Sequence, residues 1–371
     1  MPRNLFTIIT GTGSYIPSSV IPNSYFLNSE FYDSNGNKSD TPNQEAIDKC
    51  SDITKIEERR YAEDNELASD LGRKAAVKAL DNSKIDSETL DYIIFAQNFG
   101  DIDPKYMRTN QVPNLATRVK KKLGIKNRKT ESYDIPFGCP GWVQGLIVAH
   151  RFFQSGDGKR AIVIGAETLS RVADSHDRDS MIYSDGAGAV VLERVASETP
   201  VGILSYAVDC GDSSCVDAMG MGESYGPNKD GRLYFKMRTG HDVFEYAVKY
   251  MPGVIKESID KAGLELEDIT KIAIHQANER LDHSVVKRLF KLYGTNPTPD
   301  QIKNIMPMII SWLANNSVAT CPTVLDLLFR GELNNHSLDA GDNVVITAIG
   351  AGGPNINSLV YKMPFGKYQN S

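Results

Sequence analysis

Cysteine and tryptophan are scarce in this sequence, and apolar runs of membrane length are absent. Of its 371 residues only five are cysteines and two are tryptophans. The cysteines are odd in number and scattered, which predicts reduced thiols and excludes a disulfide framework. No run of about 18 apolar residues occurs, so no transmembrane helix is expected. The apolar run at 5–9 is too short for a signal peptide, and we expect a cytoplasmic protein.

Neither sign of charge dominates the composition. The 41 Lys and Arg residues nearly balance the 47 Asp and Glu residues, for a formal net charge of −6. Nucleic-acid binding needs a surface rich in lysine and arginine, so the composition argues against it, with a local basic exception at 118–129. Cys210 and Cys215 have no matching second pair, so no metal site is expected. The length predicts two domains or one two-lobed body.

Strand-like and helix-like segments alternate along the chain. The β-branched run at 5–10 predicts a strand that ends in a turn at Gly11 and Gly13. Residues 66–80 have helical spacing, and 90–97 is typical of a buried strand. Further strands are predicted at 132–138, 161–167, 186–194, 201–210, 271–276 and 343–350. Residues 23–54 are expected to form a surface excursion with one short helix, and loops are expected at 101–108 and 219–231. The alternation predicts an α/β fold, with a buried sheet covered by helices.

Cys139 lies in the sequence FGCPGW, between a short strand and an apolar-periodic stretch that predicts a helix. Pro140 is of the residue type favoured at the start of a helix. The thiol is therefore expected at a helix N-terminus, where unsatisfied N–H groups favour the thiolate and lower the pKa of cysteine. A buried structural cysteine fits the same context, so both interpretations stay open at this point.

Two further polar residues follow apolar segments. His275 closes the predicted strand KIAIHQ, and the carboxyl ends of strands are where open α/β sheets build their sites. Asn315 lies between apolar segments in SWLANNSVAT, where turn formation is the simpler explanation. Considered alone, a histidine or an asparagine in such a position is structural more often than catalytic. A cysteine with a histidine and an asparagine elsewhere in the chain is nevertheless a recognised nucleophilic arrangement.

Two glycine-rich segments have different interpretations. GAGGPN at 350–355 follows a predicted strand, and its glycines allow a backbone N–H to turn toward a reacting oxygen, as an oxyanion hole requires. A plain tight turn fits it as well. GTGS at 11–14 lacks the full phosphate-binding spacing and a following helix, so we do not expect a nucleotide site there.

Together these segments resemble the β-ketoacyl-acyl carrier protein synthase III family of thiolase-fold condensing enzymes. The motifs that carry the resemblance run nearly end to end: GTGSYIP, IEERRYA, CPGW, IVIGAETLS, YSDGAGAVVLE, HQANERL, NNSVATCPTVLD and AIGAGG. The resemblance implies a thiolase-like fold, in which two duplicated βαβ halves form a five-layered αβαβα body, and a homodimer. We place the halves at 1–196, with the cysteine, and at 197–371, with the histidine and asparagine.

The resemblance also implies a reaction. Cys139 would take an acyl group from a thioester donor, while its own N–H and that of Gly352 or Gly353 hold the oxyanion. His275 and Asn315 would stabilise the enolate formed when a malonyl-type thioester on acyl carrier protein loses carbon dioxide. The carbanion then attacks the acyl-cysteine. This is a Claisen condensation in fatty acid or related lipid and polyketide biosynthesis, with a β-ketoacyl thioester as another possible extender.

The implied partners are an acyl carrier protein and a donor, either acyl-coenzyme A or an acyl carrier protein. Arg280, Lys287 and Arg288 fall where the family presents basic residues to the acidic carrier protein, and Asn278 is implied as a further active-site residue. The substrates are carried as phosphopantetheine thioesters. No metal and no other cofactor is expected.

Several positions depart from the family pattern. Lys49 and Ile53 stand where the family commonly has the tryptophan and arginine that hold the adenine of coenzyme A. The glycine loop has one extra residue, Pro140 is unusual after the nucleophile, and the segment 98–111 is longer than usual. These departures favour an alternative member, a secondary-metabolite ketosynthase of dialkylresorcinol or pyrone type that joins two acyl chains.

Two other classes compete with a condensing enzyme. A papain-like hydrolase has the same chain order of cysteine, histidine and asparagine, but this sequence lacks its flanking motif. An inactive partner subunit of a condensing complex is the second competitor. Such subunits usually lose the nucleophile, whereas Cys139 is present.

Overall fold

The fold is that of a computed structural model, which describes residues 4–227, 229–350 and 355–365, apart from the side chains at 213–215. Within these ranges no helix is both long enough and apolar enough to cross a membrane.

Most of the strands belong to two sheets. The strands in chain order are β1 (Asn4–Tyr15), β2 (Ser19–Pro22), β3 (Glu58–Tyr61), β4 (Tyr92–Gln97), β5 (Asp101–Ile102), β6 (Thr109–Asn110), β7 (Glu131–Pro136), β8 (Arg160–Thr168), β9 (Asp185–Ser197), β10 (Gly202–Asp209), β11 (Met219–Gly222), β12 (Tyr234–Met237), β13 (Ile269–Ile274), β14 (Asn343–Gly350) and β15 (Asn355–Lys362). The first sheet has the order β1-β9-β8-β4-β7, and the second has the order β10-β15-β14-β13. Strands β7, β4 and β8 are parallel, as are β13 and β14.

Helices cover and separate the two sheets. The α-helices are α1 (Asn43–Thr54), α2 (Ala68–Ser83), α3 (Leu115–Lys122), α4 (Gly141–Gln154), α5 (Gly240–Lys261), α6 (Glu279–Leu292), α7 (Pro299–Ile305), α8 (Ile310–Leu313) and α9 (Thr320–Phe329). Short 3-10 helices lie at Asn23–Asn28, Ser87–Thr89, Leu169–Arg171, Arg178–Ile182, Ser213–Ala218, Leu266–Asp268 and Ser317–Ala319.

These elements stack in five layers. Helices α2 and α3 contact the first sheet, α4 and α9 contact strands of both sheets, and α5 contacts the second sheet and α6. The central layer is apolar because α4 and α9 bury side chains on both sides, such as Trp142, Leu146 and Leu325. The predicted thiolase-like αβαβα fold is therefore confirmed. In chain order, the last strand of the first sheet ends at Ser197, and the first strand of the second sheet begins at Gly202. The domain division at 196 stays a prediction.

The first strand does not end in the predicted glycine turn. It continues through Gly11 and Gly13 to Tyr15. Helix α2 crosses it so closely that a Cβ added at Gly11 would lie 2.2 Å from Ala79 O, and one added at Gly13 would lie 2.4 Å from Ala75 O. The predicted turn was wrong because these glycines make room for a helix and do not reverse the chain.

The structure adds strands that the sequence pattern did not indicate. Strands β5 and β6 pair where a loop was expected, and β11 pairs with β12 at the start of the glycine-rich segment. The buried strand β15 was missed because it contains polar residues. Two of these residues have partners inside the molecule: Asn357 Nδ2 donates to Gln144 Oε1 at 2.9 Å, and Ser358 Oγ lies 2.8 Å from Ser258 Oγ.

Candidate active site

Cys139 lies in the turn between the last strand of the parallel part of the first sheet and helix α4. Strand β7 ends at Pro136, and Gly138 has a φ of 75°, which glycine adopts without strain. Pro140 caps the helix, which begins at Gly141. The partly exposed thiol therefore lies at a helix N-terminus, as the sequence predicted.

Asn315 is held against the first half of the chain by two backbone hydrogen bonds. Its N–H donates to Ile182 O at 3.0 Å, and its carbonyl accepts from Ser184 N at 2.9 Å. The side-chain Oδ1 accepts the N–H of Ser317 at 2.9 Å. This contact uses the oxygen end of the amide, so Nδ2 is the end that can donate to a substrate.

His275 directly follows β13 and is 3% exposed. Its backbone N–H donates to Thr347 O at 2.9 Å. The ring Nδ1 lies 3.2 Å from Thr320 Oγ1, which lies 2.7 Å from Asn316 Oδ1. Burial lowers the pKa of His275 to about 4, so its ring is neutral at pH 7. Nε2 is the ring nitrogen left for a substrate.

Cys139 and Asn315 line one cavity of about 210 Å³. Its other polar lining residues include Asn98 and Ser317. The remaining wall is largely apolar and includes Phe99, Leu169, Tyr183, Met219, Met221 and Phe235. A cavity with a few polar groups and otherwise apolar walls suits an acyl thioester, whose carbonyl is polar and whose chain is apolar.

A second cavity of about 610 Å³ brings together three other residues that the sequence singled out. Lys49 and Ile53, the two departures from the family's adenine-binding pattern, both line it, and so does Asn278. Asn278 is also the N-cap of α6, since its side chain accepts the N–H of Leu281 at 3.3 Å.

The comparisons with known proteins agree with this fold. The model of the family 3-oxoacyl-[acyl-carrier-protein] synthase III matches residues 133–211, and the model of its C-terminal part matches residues 259–363. The chain is 32% identical over 345 residues to β-ketoacyl-[acyl-carrier-protein] synthase III of Staphylococcus aureus, an alignment that covers 93% of this chain and 95% of the relative. The chain belongs to the synthase III family.

Solved structures show the same relationship. 3-Oxoacyl-[acyl-carrier-protein] synthase III from Aquifex aeolicus is 28% identical, with a TM-score of 0.77 over 96% of this chain and 99% of that one. The priming β-ketosynthase of the R1128 polyketide pathway shares the fold at 24% identity, with a TM-score of 0.79 over 99% of this chain and 98% of that one. The predicted enzyme class, a condensing acyltransferase, is confirmed, and the papain-like alternative is excluded.

The other predicted site residues of this synthase III member lie on α6 or outside the described ranges. Arg280, Lys287 and Arg288 are exposed on α6. Gly352 and Gly353, the candidates for the second oxyanion donor, lie outside the described residues. Within the described residues, no three His, Cys, Asp or Glu side chains are grouped so that they could hold a metal ion.

Ser317 was not predicted from the sequence, yet its Oγ donates a hydrogen bond to Cys139 Sγ at 3.4 Å. Asn98 and Glu167, which connect to this serine, were not predicted either. Both lie at the carboxyl ends of the adjacent parallel strands β4 and β8. That position could have indicated them, because parallel sheets place functional groups at this edge.

Proposed function

We propose that this protein joins an acyl group held on Cys139 to a malonyl-type thioester carried by an acyl carrier protein. The observation that carries the proposal is that Cys139, at a helix N-terminus, shares a largely apolar cavity with Asn315. A thiol in that position favours its nucleophilic form. The cavity offers room for an acyl chain next to the sulfur.

The first half-reaction is an acyl transfer. The Cys139 thiolate attacks the carbonyl of the donor thioester, a new carbon–sulfur bond forms, and the bond to the donor's thiol breaks. The proton lost by Cys139 ends on the released thiol. The N–H of Cys139 is one donor to the oxyanion, and Gly352 or Gly353 is the expected second donor.

The second half-reaction forms the carbon–carbon bond. The extender's carboxylate leaves as carbon dioxide, and its electron pair forms an enolate that accepts hydrogen bonds from His275 Nε2 and Asn315 Nδ2. The carbanion attacks the acyl carbonyl, and the bond to Cys139 breaks to return the thiolate. In the structure the Thr320 hydroxyl donates to Asn316 Oδ1. Nε2 carries the ring proton when the Asn316 amide is turned so that its Nδ2 donates to Thr320, because the threonine hydroxyl then donates to Nδ1 of His275. The thiol, imidazole and amide suffice for these steps, so we propose no further cofactor.

Helix α6 is the proposed docking surface for the acidic carrier protein. Its N-cap Asn278 lies on the wall of the second cavity, and the helix exposes Arg280, Lys287 and Arg288. A pantetheine arm that enters this cavity would bring its protein next to these cations. Complementary charge of this kind mainly speeds and orients association.

The lining of the second cavity favours donors bound to a carrier protein over free coenzyme A. Lys49 and Ile53 themselves offer no aromatic ring for an adenine, and the three carboxylates in the lining, those of Asp33, Asp177 and Asp179, outnumber its two cations, Lys49 and Arg178. Carboxylates repel the phosphates of a nucleotide. The same lining supports the second candidate function, a secondary-metabolite ketosynthase of dialkylresorcinol or pyrone type that joins two carrier-bound acyl chains.

We infer that the enzyme acts as a cytoplasmic homodimer. The segment 98–111, which the family places at the subunit interface, contains the hairpin of β5 and β6 and exposes Tyr106, at 61%. Val112 next to it is 87% exposed. A second copy can cover such side chains. Sedimentation at micromolar concentration tests this, and a monomer would contradict the dimer.

Separate assays of the two half-reactions test the proposed function. His275→Ala and Asn315→Ala are expected to accept an acyl group on Cys139 yet to release little carbon dioxide from malonyl carrier protein. Cys139→Ala is expected to release carbon dioxide without being acylated. The carrier-bound β-ketoacyl product should appear only with the wild type. If no extender, malonyl or β-ketoacyl, gives a condensed product, the proposal is wrong.

A further inference from the structure

Hydrogen bonds connect a buried carboxyl group to the sulfur of Cys139. Glu167 Oε2 accepts from Asn98 N at 2.9 Å and from Asn98 Nδ2 at 2.7 Å. Asn98 Nδ2 also donates to Ser317 Oγ at 3.0 Å, and Ser317 Oγ donates to Cys139 Sγ at 3.4 Å. The contacts form one continuous chain from β8 to the start of α4.

The donor and acceptor atoms of these residues decide in which direction each hydrogen bond between Glu167 and Cys139 runs. Glu167 Oε2 accepts the backbone N–H of Asn98, and the same oxygen takes one hydrogen of the side-chain amide. The amide's second hydrogen is donated to Ser317 Oγ. A hydroxyl that accepts one hydrogen bond still has its own proton to donate. Here that proton is directed at Cys139 Sγ.

Ser317 has a backbone conformation that supports a functional role. Its φ is 52°, a region that non-glycine residues rarely adopt. Its N–H donates to Asn315 Oδ1, while its hydroxyl contacts Cys139 Sγ. Strained residues of this kind cluster at active sites. One residue thus touches both the nucleophile and the asparagine proposed for decarboxylation.

Because Glu167 is buried, its carboxyl group does not destabilise a thiolate at Cys139. Glu167 is fully buried, and its Oε1 has no hydrogen-bond partner in the part of the chain that the structure describes. Burial raises the pKa of Glu167 to about 8, and the nearby Cys139 and Asp185 act in the same direction. A mostly protonated carboxyl group adds little negative charge beside the sulfur at neutral pH.

We propose that Glu167 is a positioning residue for the nucleophile. Through Asn98 it keeps the hydroxyl proton of Ser317 on Cys139 Sγ, and this hydrogen bond stabilises the thiolate that attacks the donor thioester. The proton is shared and not transferred, so the chain of hydrogen bonds supplies orientation and consumes no reactant. The inference rests on the proposed role of Cys139 as the acyl acceptor.

The rate of Cys139 alkylation by iodoacetamide, measured against pH on the full-length protein, tests the inference, because the thiolate is the reactive form. Ser317→Ala is expected to raise the pH midpoint by about one unit, which is the effect of losing a hydrogen bond to a charged group. Asn98→Ala and Glu167→Leu are expected to raise it in the same direction. Glu167→Gln keeps an acceptor for Asn98 and is expected to retain the wild-type midpoint.

A matched control and a double variant sharpen this test. Glu193→Gln, on the adjacent strand β9 and paired with Arg160, is expected to leave the midpoint unchanged. Asn98→Ala combined with Ser317→Ala is expected to shift it no further than Ser317→Ala alone, since both remove the same contact. Circular dichroism identifies the variants that fold. If Glu167→Leu does not fold, Asn98→Ala tests the same series of hydrogen bonds in its place.

Three results would overturn the inference: a wild-type midpoint in folded Glu167→Leu, a wild-type midpoint in folded Asn98→Ala, or a double variant whose shift equals the two single shifts added. A failure of the proposed function can be told apart from a failure of this inference. In that case the midpoints shift as expected, but no thioester donor acylates Cys139.

Discussion

Gly350, the last residue of β14, lies directly against Cys139. A Cβ added to Gly350 would come within 2.6 Å of Cys139 Cβ and 2.7 Å of Cys139 N. Both distances are shorter than the closest approach of real side chains, so only glycine fits at this point. The end of β14 in the second sheet therefore contacts the turn that contains Cys139 through the backbone of Gly350.

Gly350→Ala is expected to displace Cys139 and to slow its acylation by about 10²-fold, since a shift of about 1 Å at a reacting group can cost that much. The rate of acyl-enzyme formation, followed by intact-protein mass spectrometry, measures this. Gly253→Ala in α5 is the control, because a Cβ there would meet nothing within 4 Å. An unchanged acylation rate in Gly350→Ala would show that the close contact has no functional effect.

The sequence predicted those features that depend on local pattern. The strand, cysteine and helix around Cys139 and the strand that ends at His275 follow from apolar periodicity and from residue types at element boundaries. Asn315 was found only as a member of a set, since its own segment fits an ordinary turn. The resemblance to a family then connected residues that are distant in the chain.

Features that depend on tertiary contacts could not be predicted. Gly11 and Gly13 have the appearance of a turn, yet the close crossing of α2 explains them. Ser317 is unremarkable in sequence, because its link to Glu167 is made by Asn98 across two neighbouring strands. Register and side-chain direction decide such contacts, and neither is visible in a one-dimensional pattern.

Reversing charge on α6 is expected to weaken recognition of the carrier protein and to leave the chemical steps unaffected. For Arg280→Glu with Lys287→Glu, we expect the KM for malonyl carrier protein to rise about tenfold with little change in kcat, because exposed charges act mainly on association. Steady-state kinetics at two salt concentrations measures this, and the wild-type advantage should shrink at high salt. Lys121→Glu with Lys126→Glu, at the end of α3 and just after it, reverses the same amount of charge on another exposed surface and is the matched control. Equal effects of the two changes would contradict docking on α6.

Decarboxylation is expected to be insensitive to the protonation of His275 at neutral pH. Burial lowers the pKa of this residue to about 4, so its ring stays neutral from pH 8 down to about pH 5. Carbon dioxide release by Cys139→Ala, measured over this range, should show no titration near the ordinary histidine value. A midpoint between about pH 6 and 7 would indicate that the charged ring acts in catalysis.

Glu167 is expected to make folding stability fall as pH rises. Its pKa is about 8 in the folded protein, against an ordinary value of 4.5. Between these values the unfolded chain has lost the proton that the folded chain retains, so the free energy of unfolding decreases by up to about 1.4 kcal/mol per pH unit. Glu167→Gln removes this contribution.

Urea denaturation at pH 5.5 and pH 8 measures the effect. Relative to the wild type, Glu167→Gln should be more stable at pH 8 than at pH 5.5. The same difference between the two proteins at both pH values would mean that Glu167 does not hold a proton in the folded state.

Intact-protein mass spectrometry tests the central claim most directly. The protein is incubated with acyl-coenzyme A and with acyl carrier protein donors of several chain lengths, with Cys139→Ala as the control. We expect the wild type to gain the mass of one acyl group, faster from carrier-bound donors, and the control to gain none. No mass gain from any donor, or an equal gain in Cys139→Ala, would contradict the assignment of Cys139 as the acyl acceptor.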